Sequence, residues 1–327
     1  MPRANFDNPN ELLKGDNDSN VIIGYHGFCP DGVGAAWVFY HQARIDEDVS
    51  MPGFVALTHN TEAPMELFRG KDVILVDFAY SKEVTLKIKE IASSLLVLDH
   101  HKTSAIELQG VSGCVFNMKK SGAQIAWDHV FPKQKRPWYI NYIADRDLYK
   151  WDLPNSKEIT KGMYEANVYN FKDLEEIWED TYKNPKQMRK DKAKFAKIGQ
   201  TIIERETQFI EKAMNTAVLC DYKDANGNSW KVYLTQCAPC VRSEVGNKLS
   251  AKRDCDFACI WNFSLKSNEW WLSLRSCAGK ANVGKIAQEF PVPEGKRGGG
   301  GHNNAAGVTL HGGNICDYFM PREVATN

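Results

Sequence analysis

Three short apolar runs constrain this chain more than anything else in it, because each runs straight into polar residues. They are VIIGYH at 21–26, KDVILVD at 71–77 and LLVLDHH at 95–101. Runs of this length without alternation suit strands buried on both faces. Helical patterns follow them: GVGAAWVFYHQA after the first, SKEVTLKIKEIASS after the second, then SGAQIAWDHVF and PWYINYIADRDLY after the third. Strand, turn, helix in repetition predicts an α/β domain built on a parallel sheet. Sites in such sheets form at the carboxyl ends of the strands. His26, Asp31, Asp77 and Asp99-His100-His101 are therefore expected to meet along one sheet edge.

A length of 327 residues predicts two domains. Residues 1–20 read as a polar N-terminal arm and 21–155 as the α/β domain. Residues 156–222 are highly charged and read as a helical linker, containing a long amphipathic helix over 194–217. Beyond them the pattern changes: WKVYLTQ, DFACIWNFS and EWWLSLRS are strand-like. VRSEVGNKLSAK and VGKIAQEF read as helices. Residues 223–327 thus form a smaller α+β domain.

Charge narrows the partners. Lys+Arg and Asp+Glu number 41 each, a formal net charge of zero, so the basic field that a long duplex requires is missing. No apolar run is long enough to span a membrane. The polar N-terminus reads as neither a signal nor a transit peptide. Nine cysteines, an odd number, point to reduced thiols and a cytoplasmic setting. Cys237-Ala-Pro-Cys240 has no second CxxC or His pair to complete a zinc site.

The strand ends carry the donor types that cations need. Imidazole suits Mn, Zn and Fe; carboxylate suits Mg and Mn. Asp99-His100-His101 alone could be a polar loop, and Asp77 alone a helix cap, but arriving together they read as metal ligands. His26-Gly-Phe-Cys-Pro-Asp31-Gly32 forms the first strand-to-helix turn, where free backbone N–H groups favour anions. Asp145 and Asp147 add carboxylates on a half-buried helix. In the C-terminal part, Arg297 opens the run Gly298-Gly299-Gly300-Gly301-His302-Asn303. Glycines let a backbone approach a ligand closely, and a flexible linker is the bland alternative. Arg275, at the end of EWWLSLRS, can grip a phosphate bidentately or lie solvated on the surface. Trp261, Trp270 and Trp271 read as core packing before base stacking.

LLVLDHH together with RGGGGHNNAAG resembles the DHH phosphoesterase superfamily and its DHH-associated C-terminal domain, over roughly residues 20–155 and 225–315. The resemblance implies two divalent ions, Mn²⁺ first, with Mg²⁺ or another transition metal as alternatives. It implies Asp77 as the bridge, His26 on one ion, and Asp31, His100 and Asp145 on the other. His101 would contact the scissile phosphate, and Asp99 would orient a histidine. Arg275, Arg297, Gly299, Gly300, Gly301, His302 and Asn303 would hold the substrate. One departure stands out: Cys29 occupies the place of the first Asp in the family's Asp-x-Asp, a softer ligand. Asp147 competes with Asp145, and the phrase YIAD favours Asp145.

The activity so implied is hydrolysis of short oligonucleotides or nucleoside phosphates, of the exonuclease or oligoribonuclease type. A polyphosphate or phosphoanhydride hydrolase is the enzymatic alternative. A catalytically weakened nucleotide- or RNA-binding protein is the non-enzymatic one. Expected partners are the short nucleotide substrate, with no membrane and no long duplex; a homodimer stays open.

Overall fold

The computed structural model describes residues 19–58, 61–290 and 299–322. Most of the expected arm, residues 1–18, and Arg297 lie outside the described residues. The chain divides into two compact units, residues 1–202 and 203–327.

The first unit is built on five parallel strands. In chain order they are β1 (Val21–His26), β2 (Gly53–Leu57), β3 (Asp72–Val76), β4 (Ser94–Asp99) and β5 (Cys114–Phe116), arranged β2-β1-β3-β4-β5. Crossovers between them carry α1 (Pro30–Ile45), α2 (Met65–Phe68), α3 (Lys82–Ile91) and α4 (Lys102–Glu107). Then come α5 (Gly122–Val130), α6 (Trp138–Asp147), α7 (Ser156–Glu165), α8 (Phe171–Thr181) and α9 (Pro185–Asn215). The expected parallel α/β sheet is present. The order reverses direction at β1 and β3, and the crevice outside that switch is where such sheets bind ligands.

Apolar side chains cover both faces of the sheet. Ile22, Val73, Leu75, Val97 and Ile88 close one core. Ile23, Trp37, Val76, Leu98, Trp127 and Tyr139 belong to the other. The stretch expected as a linker, 156–222, is divided by the packing. Ile159, Met163, Leu174, Ile177 and Phe195 are buried in the N-terminal core, whereas Ile210 and Ala213 pack with Val245 and Ile260 of the second unit. The high charge of this stretch lies on the outer faces of helices whose inner faces are apolar. Gly162 and Gly199 allow the close approach of α7 and α9: a Cβ on Gly162 would sit 1.9 Å from the Phe195 carbonyl oxygen.

The second unit is a mixed seven-stranded sheet. Its strands are β6 (Val218–Lys223), β7 (Ser229–Thr235), β8 (Phe257–Ser264), β9 (Glu269–Arg275), β10 (Gly300–His302), β11 (Ala305–His311) and β12 (Phe319–Pro321). They run in the order β10-β11-β9-β8-β7-β6-β12. The β7–β8 pair is parallel and the other pairs antiparallel. Helices α10 (Arg242–Ser250) and α11 (Val283–Gln288) complete this α+β unit. Trp261 and Trp270 pack against its core, while Trp271 is exposed.

Candidate metal centre

Asp77 follows the last residue of β3 with φ 53°, in the left-handed region. Such a conformation is uncommon for a non-glycine residue and clusters at sites where surrounding structure enforces it. Here the enforcement is steric and visible. Gly122 opens α5 directly against this residue, and a Cβ on Gly122 would lie 2.5 Å from the Asp77 Cβ. Gly32 performs the same service beside β1, where a Cβ would meet the His26 carbonyl oxygen at 2.2 Å.

Around Asp77 the strand ends deliver their donors. His26 Nδ1 lies 3.6 Å from Asp77 Oδ2, and His100 Nε2 lies 3.1 Å from Asp77 Oδ1. His100 Nε2 is also 3.7 Å from Asp31 Oδ2 and 3.5 Å from Asp147 Oδ2. Three overlapping groups have the spacing of a cation's ligand shell: His26–Cys29–Asp77, Asp31–His100–Asp147, and Asp77–Asp99–His100–His101. Asp77 belongs to two of them and His100 to two, so the donors form one continuous cluster.

The acids fit divalent cations. The Asp77 Oδ2 and Asp99 Oδ2 atoms are buried without a hydrogen-bond partner, a cost that a bound cation removes. Burial, followed by repulsion from Asp77 and Asp147, pushes the Asp31 carboxyl well above its usual range. Burial and then Asp77 push Asp147 up as well. For Asp77 burial is again the largest influence and raises it, yet the hydrogen bond with His100 and the nearby His26 imidazole outweigh it and hold the carboxyl at about 2. His100 is raised to about 9: burial opposes its charge, but Asp77, Asp31 and Asp147 favour it more. Mixed carboxylate and imidazole donors of this kind suit Mn, Fe or Zn, with Mg the harder alternative.

Each remaining member has an identifiable job. Asp31 sits in the first turn of α1, and its carboxylate accepts the Gly122 N–H at 2.6 Å and the Ala123 N–H at 3.0 Å, tying α1 to the start of α5. Asp99 Oδ1 accepts the His100 backbone N–H at 2.7 Å and holds His101 Nδ1 at 2.7 Å. A carboxylate only accepts, so Nδ1 of His101 carries the proton. That bond is the main reason the His101 pKa is raised. Cys29 is the residue before α1, and burial, then Asp77 and Asp31, push its thiol up to about 12.

Asp145 is not part of the cluster, against the reading that YIAD suggests. Its carboxylate accepts the backbone N–H groups of Asp152 and Leu153, at 3.0 and 3.1 Å. The acid on the cluster is Asp147, two residues on, whose side chain is 26% exposed. Two residues turn a helix by about 200°, so only one of the pair can face the strand ends. Arg146, between them, was not singled out by sequence. It lines a cavity of about 220 Å³ with Cys29, Asp31 and Asp147, and its guanidinium lies 5.9 Å from the Tyr164 ring centroid.

In the second unit, Gly300, Gly301 and His302 form β10 and hairpin back onto β11, where Arg275 of β9 pairs with Ala305. Gly301 has φ 151°, and a Cβ there would meet the Ala305 carbonyl oxygen at 2.4 Å. Gly299 is packed as tightly, since a Cβ there would meet the Gly307 carbonyl oxygen at 2.0 Å. Both glycines are thus demanded by the hairpin itself. The Arg275 guanidinium donates to Ser273 Oγ, Ser243 Oγ and the Leu274 carbonyl, and the missing Cβ of Gly246 leaves room for the Cβ and Cγ of the same side chain. Asn303 Oδ1 accepts from Asn282 Nδ2.

No family model matches the chain. An uncharacterized protein, R106, of Acanthamoeba polyphaga mimivirus is 28% identical over 336 residues, covering 97% of this chain and 73% of its own length. Similar solved structures include the pGpG-specific phosphodiesterase PggH from Vibrio cholerae, at 11% identity and a TM-score of 0.47, covering 89% of this chain and 93% of that one. They also include RecJ in complex with Mg²⁺ from Thermus thermophilus, at 13% identity and a TM-score of 0.41, covering 89% and 46%. A putative family II inorganic pyrophosphatase from Methanococcus jannaschii matches at 13% identity and a TM-score of 0.30, covering 93% and 96%. Among the described residues no helix is long and apolar enough to cross a membrane.

Proposed function

We propose that this chain is a metal-dependent phosphoesterase of the DHH type, acting on short oligonucleotides or nucleoside phosphates with two divalent cations, Mn²⁺ first among them. One observation carries the reading: buried Asp77, in a left-handed conformation, has one oxygen toward the His26 pocket and the other toward His100. His26, Cys29 and Asp77 would hold one ion; Asp77, Asp31, His100 and Asp147 would hold the other. Bound there, divalent cations supply Lewis-acid polarisation of a phosphoryl oxygen and a hydroxide source near neutral pH.

The chain's own residues supply the rest. Asp99 fixes the ring of His101 and stabilises its charged form, so His101 is suited to donate a proton or a charge-assisted hydrogen bond to a phosphoryl oxygen. Arg146 adds a fixed positive charge beside the same pocket. In the second unit, Arg275, His302 and Asn303 are the expected grip on the substrate's phosphate or terminal nucleotide.

The test is a panel of 5′-phosphorylated di- to pentanucleotides, cyclic dinucleotides, a nucleoside 3′,5′-bisphosphate and inorganic polyphosphate, each with Mn²⁺ and with Mg²⁺. Turnover of one nucleotide class, lost in Asp77→Asn, supports the proposal. Turnover of polyphosphate alone would replace it with phosphoanhydride hydrolysis. Binding without metal-dependent hydrolysis of any of these substrates would leave a nucleotide-binding protein.

A further inference from the structure

The metal cluster uses only the C-terminal end of α6. At the other end of that helix lies a larger cavity, of about 740 Å³, lined wholly by residues between Lys135 and Ala193. Its size falls in the range of small-molecule sites.

Its lining is lopsided in charge. Lys135, Arg136, Lys183, Arg189 and Lys192 line it, and no Asp or Glu does. Arg136 is neutralised by bidentate bonding to Asp128. The other four make no ion pair with a carboxylate among the described residues. Burial, then Lys135, lowers the pKa of Lys192, as expected of a cation lacking a counter-ion.

Three helix N-termini add to this field. Pro137 and Trp138 begin the ten-residue α6, Asn155 precedes the ten-residue α7, and Asn184 and Pro185 begin the 31-residue α9; all of them line the cavity. Neither the cap position of α6 nor that of α7 has a side-chain hydrogen bond to a free N–H. Helix N-termini present positive potential and unsatisfied donors.

The same walls are aromatic. Trp138, Tyr142, Trp178 and Tyr182 line the cavity. Lys192 Nζ lies 5.3 Å from the Trp138 ring centroid and 4.8 Å from that of Tyr142, and Lys183 Nζ 4.9 Å from that of Tyr182. Trp138 is 8% exposed, yet its indole N–H has no hydrogen-bond partner. A buried donor left open, in a cavity short of negative charge, is a place for an acceptor.

We propose that this cavity is a second ligand site, separate from the metal ligands, that takes a nucleoside phosphate: phosphate among the lysines, Arg189 and the helix N-termini, base against the aromatic walls. Aromatic faces and cations in one pocket match the two halves of that ligand. The site shares α6 with the metal centre, since Trp138 and Asp147 are its two ends. The proposal uses none of the metal ligands and stands whether or not the chain hydrolyses phosphoesters.

The test is titration of AMP into the full-length protein in EDTA, read by calorimetry and by tryptophan fluorescence, alongside adenosine and inorganic phosphate. Lys183→Glu and Arg189→Glu serve as variants, because both side chains are exposed and neither change buries a charge. The expected result is saturable AMP binding, weakened by added salt and at least tenfold by either reversal, with adenosine and phosphate each binding more weakly than AMP. Matching thermal unfolding of the variants and the parent would confirm that the loss is local. Absence of AMP binding, or binding that survives both reversals, would overturn the proposal.

Discussion

Gly122 and Asp77 are in contact so close that the first has no room for a side chain: a Cβ would stand 2.5 Å from the Asp77 Cβ and 2.9 Å from its Oδ1. The pair fixes the position of the cluster's central acid relative to the start of α5.

Gly122→Ala should therefore act on metal binding through geometry. Overpacking of this kind costs about 1–3 kcal/mol, and the relief available is displacement of Asp77. The variant should unfold at lower urea than the parent and bind Mn²⁺ at least tenfold more weakly. An unchanged Mn²⁺ affinity would show that Asp77 is not held by this contact.

The two acids of α6 should separate cleanly. Asp147→Asn removes a carboxylate 3.5 Å from His100 and should weaken Mn²⁺ binding while leaving the metal-free protein as stable as before. Asp145→Ala instead orphans the N–H groups of Asp152 and Leu153, at a cost of about 1–3 kcal/mol. Paired urea unfolding and Mn²⁺ titration distinguish them; the reverse pattern would return Asp145 to the metal.

Metal affinity should climb with pH. In the metal-free protein His100 is raised from its ordinary 6.5 to about 9, so its proton stabilises the fold fully below 6.5 and that contribution fades as pH rises through about 9. A cation must displace this proton. Mn²⁺ affinity should increase between pH 6.5 and 9, with proton release seen as a buffer-dependent heat, and His100→Asn should flatten the dependence. Asp31, also raised, adds a change of the same sign.

Glu175 tests the core rather than the site. It is buried, accepts the Trp37 indole N–H at 3.0 Å and lies 3.0 Å from His41 Nδ1. Glu175→Ala should destabilise the first unit by about 3 kcal/mol, since it strands buried polar partners. Mn²⁺ affinity of the protein that remains folded should stay the same.

Much of the centre is legible before folding. VILVD and LLVLDHH are apolar enough to be buried strands, and a parallel sheet brings residues at successive strand ends together whatever the intervening loops do. His26, Asp31, Asp77, Asp99, His100 and His101 needed only that rule. GFVAL was harder to read, because a short strand with a mixed burial pattern carries little periodicity. Helices α7 and α8 were obscured by their charge: what matters is the one apolar stripe each turns toward the N-terminal core.

By itself the sequence determined the alternation of buried strands and helices that frames the site, and the donor types at the strand ends. Only the tertiary structure decided which α6 acid joins His100. Asp145 and Asp147 have the same chemistry, and the choice lies in how the helix is rotated as it docks. Tertiary structure alone also assembled the basic cavity, because its cations and helix N-termini come from three separate stretches of chain, 135–142, 153–159 and 178–193, whose meeting no local pattern encodes.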